Sequence, residues 1–445
     1  MPVLGFVGTV ALVTTLIHLY IWKRLVRDTT RPGRWRRIGG LVVLALALLI
    51  PVAMVGQRTE LDWLAWPGYL WIAVMFYLLV VLALLELPML VTKLVQRYRR
   101  KAAPAAEPEP VLAFVGAAGT LTAATEAAES AAPSTAPAPT APPADSSTEP
   151  DSPPAAAPPS PAEPGHDPSR RLLLARSAAI FAGLTAAGIT GYGVRTALAP
   201  PRLDRVQIPL AKLPRSMDGL RIATVSDIHI GPLAGRAHTE RIVAAINRLD
   251  ADLVAVVGDL VDGTVAELGE AAEPLRDLRA KHGSYFVTGN HEYYTGDADA
   301  WVAELDRLGL QVLQNERREI HARGGVLDLA GVNDLAGQGF AEGPDFGAAL
   351  GGRDPQRPVV LLAHQPIQVH EAARHGVDLQ LSGHTHGGQM VPFNLLVGLQ
   401  QPVVSGHSTI DGTQVYVTNG AGFWGPPVRV GAPPEITLVE LRSTA

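Results

Sequence analysis

Hydrophobic and polar positions divide the chain into three regions. Three apolar runs open it: Val3–Trp22, Ile38–Gly56 and Gly68–Val91. Each is long enough for a helix to cross the roughly 30 Å hydrocarbon layer. A weaker run from Ser177 to Val194 predicts a fourth crossing, and between the third and fourth lies a stretch with no apolar period. From about Arg202 the pattern changes to short apolar strands, Leu220–Val225, Leu253–Val257, Tyr285–Thr288, Leu327–Val332, Val359–Ala363 and Leu379–Leu381. Helical periods at Glu240–Leu249, Ala266–Ala280 and Ala300–Leu308 separate several of them. Strands alternating with helices predict an α/β sandwich that binds ligands at the carboxyl ends of its strands.

Charge orients the apolar runs. Lys23, Arg24, Arg27, Arg31, Arg34, Arg36 and Arg37 fill the first connection, and Lys93, Arg97, Arg99, Arg100 and Lys101 follow the third run. The second connection has only Arg58 against Glu60 and Asp62. Basic loops stay in the cytoplasm, so the N-terminus and, after a fourth crossing, the C-terminal region are expected outside the cell. His18 and Glu86 are the ionisable groups inside the first three runs. Each is a functional candidate, although Glu86 is close enough to one end to reach the interface.

Composition sharpens the division. Of 37 prolines, 16 lie between Ala102 and Pro168 among Ala, Ser, Thr and Glu. Such a segment buries too little apolar surface to offset its ordering entropy, so a disordered or polyproline-like linker is expected. The linker ends in Arg170-Arg171 ahead of the weak fourth run, a pattern similar to a twin-arginine export signal. An ordinary anchor helix with cytoplasmic arginines is the other reading, and Pro200 after Ala197-Leu198-Ala199 disfavours cleavage. The expected organisation is a three-helix membrane region over 1–101, the linker over 102–168, a fourth transmembrane or signal-like anchor over 169–200 and an α/β domain over 201–445. The chain has no cysteine, which excludes thiolate metal sites, disulfides and cysteine nucleophiles. A net charge of −5 without a basic run in the C-terminal half removes nucleic acid from the expected partners.

Chemistry concentrates after the strands. The first ends in Ser226-Asp227-Ile228-His229, the second in Gly258-Asp259-Leu260-Val261-Asp262, the third in Gly289-Asn290-His291-Glu292, the fifth at His364 and the sixth in Gly383-His384-Thr385-His386-Gly387-Gly388-Gln389. Five strand ends thus offer Asp, His and Asn groups to one rim. Oxygen and nitrogen donors without thiolate suit Mn, Fe or Zn. Asp259 is placed to bridge two ions. Asp262 either orients a ligand histidine or caps a turn.

These motifs, DxH, GDxxD, GNH[ED], a lone His and GHTH, resemble the calcineurin-like metallophosphoesterase family over roughly Leu213–Arg442. The Gly-Gly-Gln after the last motif, Trp424-Gly425-Pro426-Pro427 and Pro433-Pro434-Glu435-Ile436 are similar to its YkuE/YaeI-like membrane-associated branch. The resemblance implies a four-layer α/β/β/α sandwich. It also implies two metals, one held by Asp227, His229, Asp259 and His386 and the other by Asp259, Asn290, His364 and His384. His291 would stand near the scissile phosphate. Implied too is hydrolysis of phosphoester or pyrophosphate bonds by a hydroxide bridging two divalent ions. The apolar segment Met390–Leu399 and the pair Phe423-Trp424 read either as core or as a lip for a lipid-linked substrate beside the bilayer. A second function remains open, a transport or assembly protein with a regulatory phosphoesterase module.

Overall fold

The computed structural model describes residues 2–56, 62–102 and 168–444. Four long helices precede the sandwich: α1 (Pro2–Ile21), α2 (Arg34–Gly56), α3 (Ala65–Ala102) and α4 (Pro168–Leu198). All four are long and apolar enough to cross a membrane, with candidate spans at Gly8–Arg27, Arg34–Met54, Ala65–Pro88 and Leu172–Leu198. The linker expected over 102–168 lies, but for its two end residues, outside the described residues. Glu86 accepts hydrogen bonds from Tyr20 Oη (2.5 Å) and Arg24 Nε (2.7 Å). His18 faces the Thr14 carbonyl and Trp71 Nε1 at 2.8 and 3.1 Å. Both ionisable groups of the apolar runs are therefore partnered inside the helical region.

Twelve strands follow: β1 (Arg202–Leu210), β2 (Leu220–Val225), β3 (Leu253–Val257), β4 (Ser284–Val287), β5 (Leu310–Val312), β6 (Glu316–Ala322), β7 (Gly325–Gly331), β8 (Val359–Leu362), β9 (Leu379–Ser382), β10 (Gly406–Ile410), β11 (Thr413–Val417) and β12 (Glu435–Ser443). They form two six-stranded mixed sheets, ordered β1-β12-β2-β3-β4-β5 and β10-β11-β9-β8-β7-β6. Central strands β2 to β5 and β7, β8, β9 and β11 run parallel. Their side chains alternate with the period of two that a strand imposes. In β3, Leu253, Ala255 and Val257 face the second sheet. Val254 and Val256 face a helical layer with Ile242, Leu268 and Trp301. That layer is α5 (Arg236–Asn247), α6 (Val265–Ala272) and α8 (Ala298–Arg307), with the short α7 (Asn290–Tyr294) between the last two. Val359 and Leu361 of β8 face a second helical layer. The result is the expected α/β/β/α sandwich.

The helix expected over Ala266–Ala280 stops early: α6 ends at Ala272 and a 3-10 turn, Glu273–Asp277, continues. Pro274 lacks the N–H that an α-helix would use there. Helices α3 and α4 pack on the sandwich, where Ala73, Tyr77, Ala182 and Ala186 share one apolar cluster with Val428, flanked by Met390 and Val430. Gly193 of α4 permits this approach. A Cβ there would stand 2.4 Å from Val428, and its carbonyl accepts the Arg429 N–H at 3.0 Å.

Candidate active site

Parallel strands deliver their carboxyl ends to one rim, and the five motifs after β2, β3, β4, β8 and β9 meet there. Asp227, His229, Asp259, His384 and His386 all have φ between 49° and 70°. Non-glycine residues rarely adopt this left-handed region, and such strain collects at functional sites. Ladder-like hydrogen bonds hold the turns in place: Asp227 N to Gly258 O, His229 N to Asp259 O and Ile230 N to Leu260 O. Two glycines make room for the carboxylates. A Cβ at Gly289 would lie 2.3 Å from Asp259 Oδ1, and one at Gly383 would lie 2.4 Å from Asp227 Oδ2.

All seven candidate ligands come together. Donor atoms of Asp227, His229 and His386 lie within 4.8 Å of one another, as do those of Asp259, His364 and His384. His386 Nε2 is 3.1 Å from both Asp227 Oδ1 and His229 Nε2. His364 Nε2 stands 3.2 Å from Asp259 Oδ2, and His384 Nδ1 is 2.8 Å from Asn290 Oδ1. Asp259 Oδ2 also lies 3.9 Å from His229 Nε2, so this carboxylate stands between the two groups.

Around these atoms the remaining valences are satisfied by protein. Ser226 Oγ donates to Asp227. The His384 and His291 N–H groups donate to Asp227 Oδ2 (3.0 Å) and Asp259 Oδ1 (2.8 Å). His364 Nδ1 donates to the Val257 carbonyl at 2.8 Å, which aims Nε2 into the site. Asp262 Oδ1 receives both His229 Nδ1 (2.7 Å) and His291 Nδ1 (2.8 Å). Of the two readings of Asp262, the geometry is that of an orienting carboxylate.

The donor set fits metal. Burial would raise the Asp227 and Asp259 carboxyls, but His386 beside the first and His364 beside the second outweigh it and hold both well below the ordinary range. Burial opposes charge on His364, yet Asp259 lifts its pKa well above the usual value. His384 and His386 are lowered to about 4, chiefly by burial. Two buried ionised carboxylates call for compensating positive charge. His364 Nε2 is buried without an aligned hydrogen-bond partner. Ligands held at about 2.0–2.2 Å from one ion stand roughly 3–3.5 Å apart, which matches the spacing of the facing donors. The clusters are compatible with a dinuclear metal site.

His291 fronts a cleft of about 210 Å³ lined by His229, Asp262, Tyr294, Phe423, Trp424 and Tyr69. Burial works against its protonation, but Asp259 and Asp262 outweigh it and raise its pKa to about 9.

Three contributors escaped the sequence reading. Glu292 is buried and accepts the N–H groups of Gly289 (2.6 Å), Leu260 (2.8 Å) and Asp259 (3.1 Å), tying α7 to the Asp259 loop. Burial, then Asp259, pushes its carboxyl up to about 7 against the pull of those N–H groups. Its signal was the fourth position of GNHE. Arg429 lies fully buried behind His386, and Tyr69 reaches the cleft from α3; no motif marked either. The two apolar segments divide between burial and exposure. Phe423 is buried, whereas Trp424 is 55% and Leu395, Leu396 and Leu399 are 69%, 58% and 83% exposed. Met390 packs against the apolar cluster of α3 and α4, the Phe393 ring meets that of Phe76 edge to face at 6.5 Å, and the leucines beyond lie outside the core.

Comparison with known proteins agrees with this geometry. The calcineurin-like phosphoesterase family matches residues 220–388. A Danio rerio "transmembrane protein with metallophosphoesterase domain" is 40% identical over 272 residues, 59% of this chain and 62% of that protein. The chain thus spans under two thirds of that relative's length. An uncharacterized metallophosphoesterase of Helicobacter pylori is 39% identical over 279 residues, covering 62% of this chain and 73% of its own. The uncharacterized metallophosphoesterase YkuE of Bacillus subtilis is 30% identical over 285 residues, 62% of this chain and 98% of its own.

Proposed function

Because the chain belongs to the calcineurin-like phosphoesterase family, we propose that it is a membrane-anchored, dinuclear-metal-dependent phosphoesterase whose substrates are phosphoesters at the bilayer surface. The observation that carries the reading is the convergence of Asp227, His229 and His386 with Asp259, His364 and His384 around a shared carboxylate.

One ion would be held by Asp227, His229, Asp259 and His386, the other by Asp259, Asn290, His364 and His384. A bound pair of divalent cations supplies Lewis-acid polarisation of phosphoryl oxygen and a lowered pKa for water. Asp262 fixes the His291 ring through Nδ1, so Nε2 is left to the substrate. Water gives up one proton to solvent and its oxygen bonds to phosphorus as the ester P–O bond breaks; the leaving oxygen takes the Nε2 proton of His291, which solvent then restores. The Asp262 carboxylate at Nδ1 favours the protonated ring that supplies it. Glu292 and Gly289 hold the Asp259 turn still during the reaction.

Anchoring and substrate choice rest on the helices. Basic residues flank one end of α1 to α4, and the sandwich packs against the opposite ends of α3 and α4, through Tyr69 beside Gly425 and Gly193 beside Val428. By the positive-inside rule this supports a multi-pass protein with its catalytic domain on the extracytoplasmic side. The exposed Leu395, Leu396 and Leu399 beside α3 form an apolar patch of the kind that meets membrane, which supports lipid-linked substrates.

The test is hydrolysis of bis(4-nitrophenyl) phosphate by the purified full chain, stripped with chelator and reloaded with Mn²⁺. Activity should return with metal and fall at least about 10³-fold in Asp259→Asn. Metal-independent turnover, or an active Asp259→Asn chain, would refute the reading. A reporter fused to the C-terminus reads sidedness separately.

A further inference from the structure

Between α3 and α4 runs a groove of about 640 Å³, walled by Val81 and Leu85 on one side and Phe181 and Gly188 on the other. The catalytic domain closes one end with Val391 and Val430. Val430 adjoins Arg429, whose guanidinium touches His386. At the same end, α3 carries Tyr69 into the catalytic cleft. Tyr69 and Tyr77, the latter on the groove wall, are eight residues apart, about 12 Å along the helix. One helix therefore borders both the place where a phosphoester reacts and an apolar channel inside the candidate spans.

Resting on the phosphoesterase reading above, we propose that this groove seats one hydrocarbon chain of a membrane lipid phosphoester while the lipid's phosphate occupies the cleft at His291. The walls offer almost no polar surface, so a soluble phosphoester gains nothing from them. A lipid already lies in the bilayer beside α3 and α4, and its headgroup reaches the cleft without leaving the membrane. Tethering of this kind raises the local substrate concentration without any new contact. The groove has the volume of a small-molecule site, which suits a single chain with other chains remaining among bulk lipids. Tyr69 and Trp424 then flank the headgroup, and the 391–430 side of the sandwich turns the chain from groove to cleft.

A Cβ added at Gly188 on the groove wall meets nothing within 4 Å, so Gly188→Phe starts its side chain into open space and narrows the groove. The Mn²⁺-loaded full chain in nanodiscs would be assayed on two diesters differing only in the alkyl group, 4-nitrophenyl hexadecyl phosphate and 4-nitrophenyl methyl phosphate. Wild type should favour the hexadecyl ester at least about 10-fold in kcat/KM. Gly188→Phe should remove most of that preference and leave the methyl ester unchanged. No preference in wild type, or a preference that survives Gly188→Phe, overturns the proposal. A second measurement does not depend on turnover. A hexadecylphosphonate with a mid-chain diazirine, whose C–P bond resists hydrolysis, should label α3 within 80–85 and α4 within 181–189, and less so in Gly188→Phe. Equal labelling by the matching hexadecanol probe would mean a chain held regardless of its headgroup and would also overturn it. Phosphonate labelling without turnover of either diester would refute the phosphoesterase reading while upholding the groove as the chain's seat.

Discussion

Arg429 Nη2 lies 3.0 Å from Nδ1 of His386, and both side chains are buried. Its Nη1 also reaches the carbonyls of His386 and Asn419, each at 2.9 Å, and its Nε reaches that of Gly422 at 3.0 Å. One planar fork thus fixes a candidate ligand ring and the loop behind it. Lysine keeps the charge but cannot reproduce the fork. Arg429→Lys should weaken Mn²⁺ binding about 10–100-fold, measured by calorimetry on the chelator-stripped chain. An unchanged Kd would show that the contact does not orient His386.

Asp262 holds two imidazoles by one oxygen. Asp262→Ala releases His229 and His291 together, so kcat/KM should fall about 10–100-fold. Adding Mn²⁺ should recover only the part due to weaker metal binding, because His291 stays unaligned at saturation. Steady-state rates across a metal titration separate the two losses; full recovery would mean that His291 needs no support.

Glu292 answers three backbone N–H groups with two oxygens. In Glu292→Gln one oxygen becomes an NH₂ that faces donors, leaving at least one buried N–H unpaired. The expected cost is about 2 kcal/mol, read as a lower thermal unfolding midpoint in detergent, with a loss of activity that follows from movement of the Asp259 loop. A midpoint equal to wild type would contradict this.

His238 on α5, whose ring lies 6.5 Å from that of Phe423, gives stability a pH dependence of its own. Burial, helped by Arg241, lowers its pKa to about 4, so the unfolded chain, with a pKa near 6.5, binds the proton first as pH drops. Stability is complete above about pH 6.5 and declines by up to about 1.4 kcal/mol per pH unit down to about pH 4. His238→Gln lacks this loss. The stability difference, wild type minus variant, should therefore fall between pH 7 and pH 5 in denaturant titrations. A difference that stays constant would show that His238 is protonated in the folded protein.

Much of the sandwich was legible because its central strands are buried on both faces. β2, β3, β4, β7, β8 and β9 read as apolar runs, and each ligand motif sits where such a run stops. The strands without that signal lie mostly at the sheet margins. β6, with sequence ERREIHA, is a charged edge, and β1, RLDRVQIPL, buries little but Ile208 and Leu210. β12 carries the same apolar signal in EITLVEL, overlapped at its start by the Pro-Pro-Glu-Ile motif. Within the site, motif residues were visible because their chemistry is unusual after a strand. Arg429 and Tyr69 were not, since their roles arise only when distant segments meet.

The packing of Gly193 on Val428 and of Tyr69 beside the cleft bears on how this protein can be studied. A soluble fragment starting at Arg202 would strip the apolar surface of Met390, Val428 and Val430 of its cover and remove one wall of the reaction chamber. Rate constants from such a fragment would describe a wider, stickier vessel than the one α3 and α4 complete, and inhibitors ranked on it would be ranked against the wrong shape.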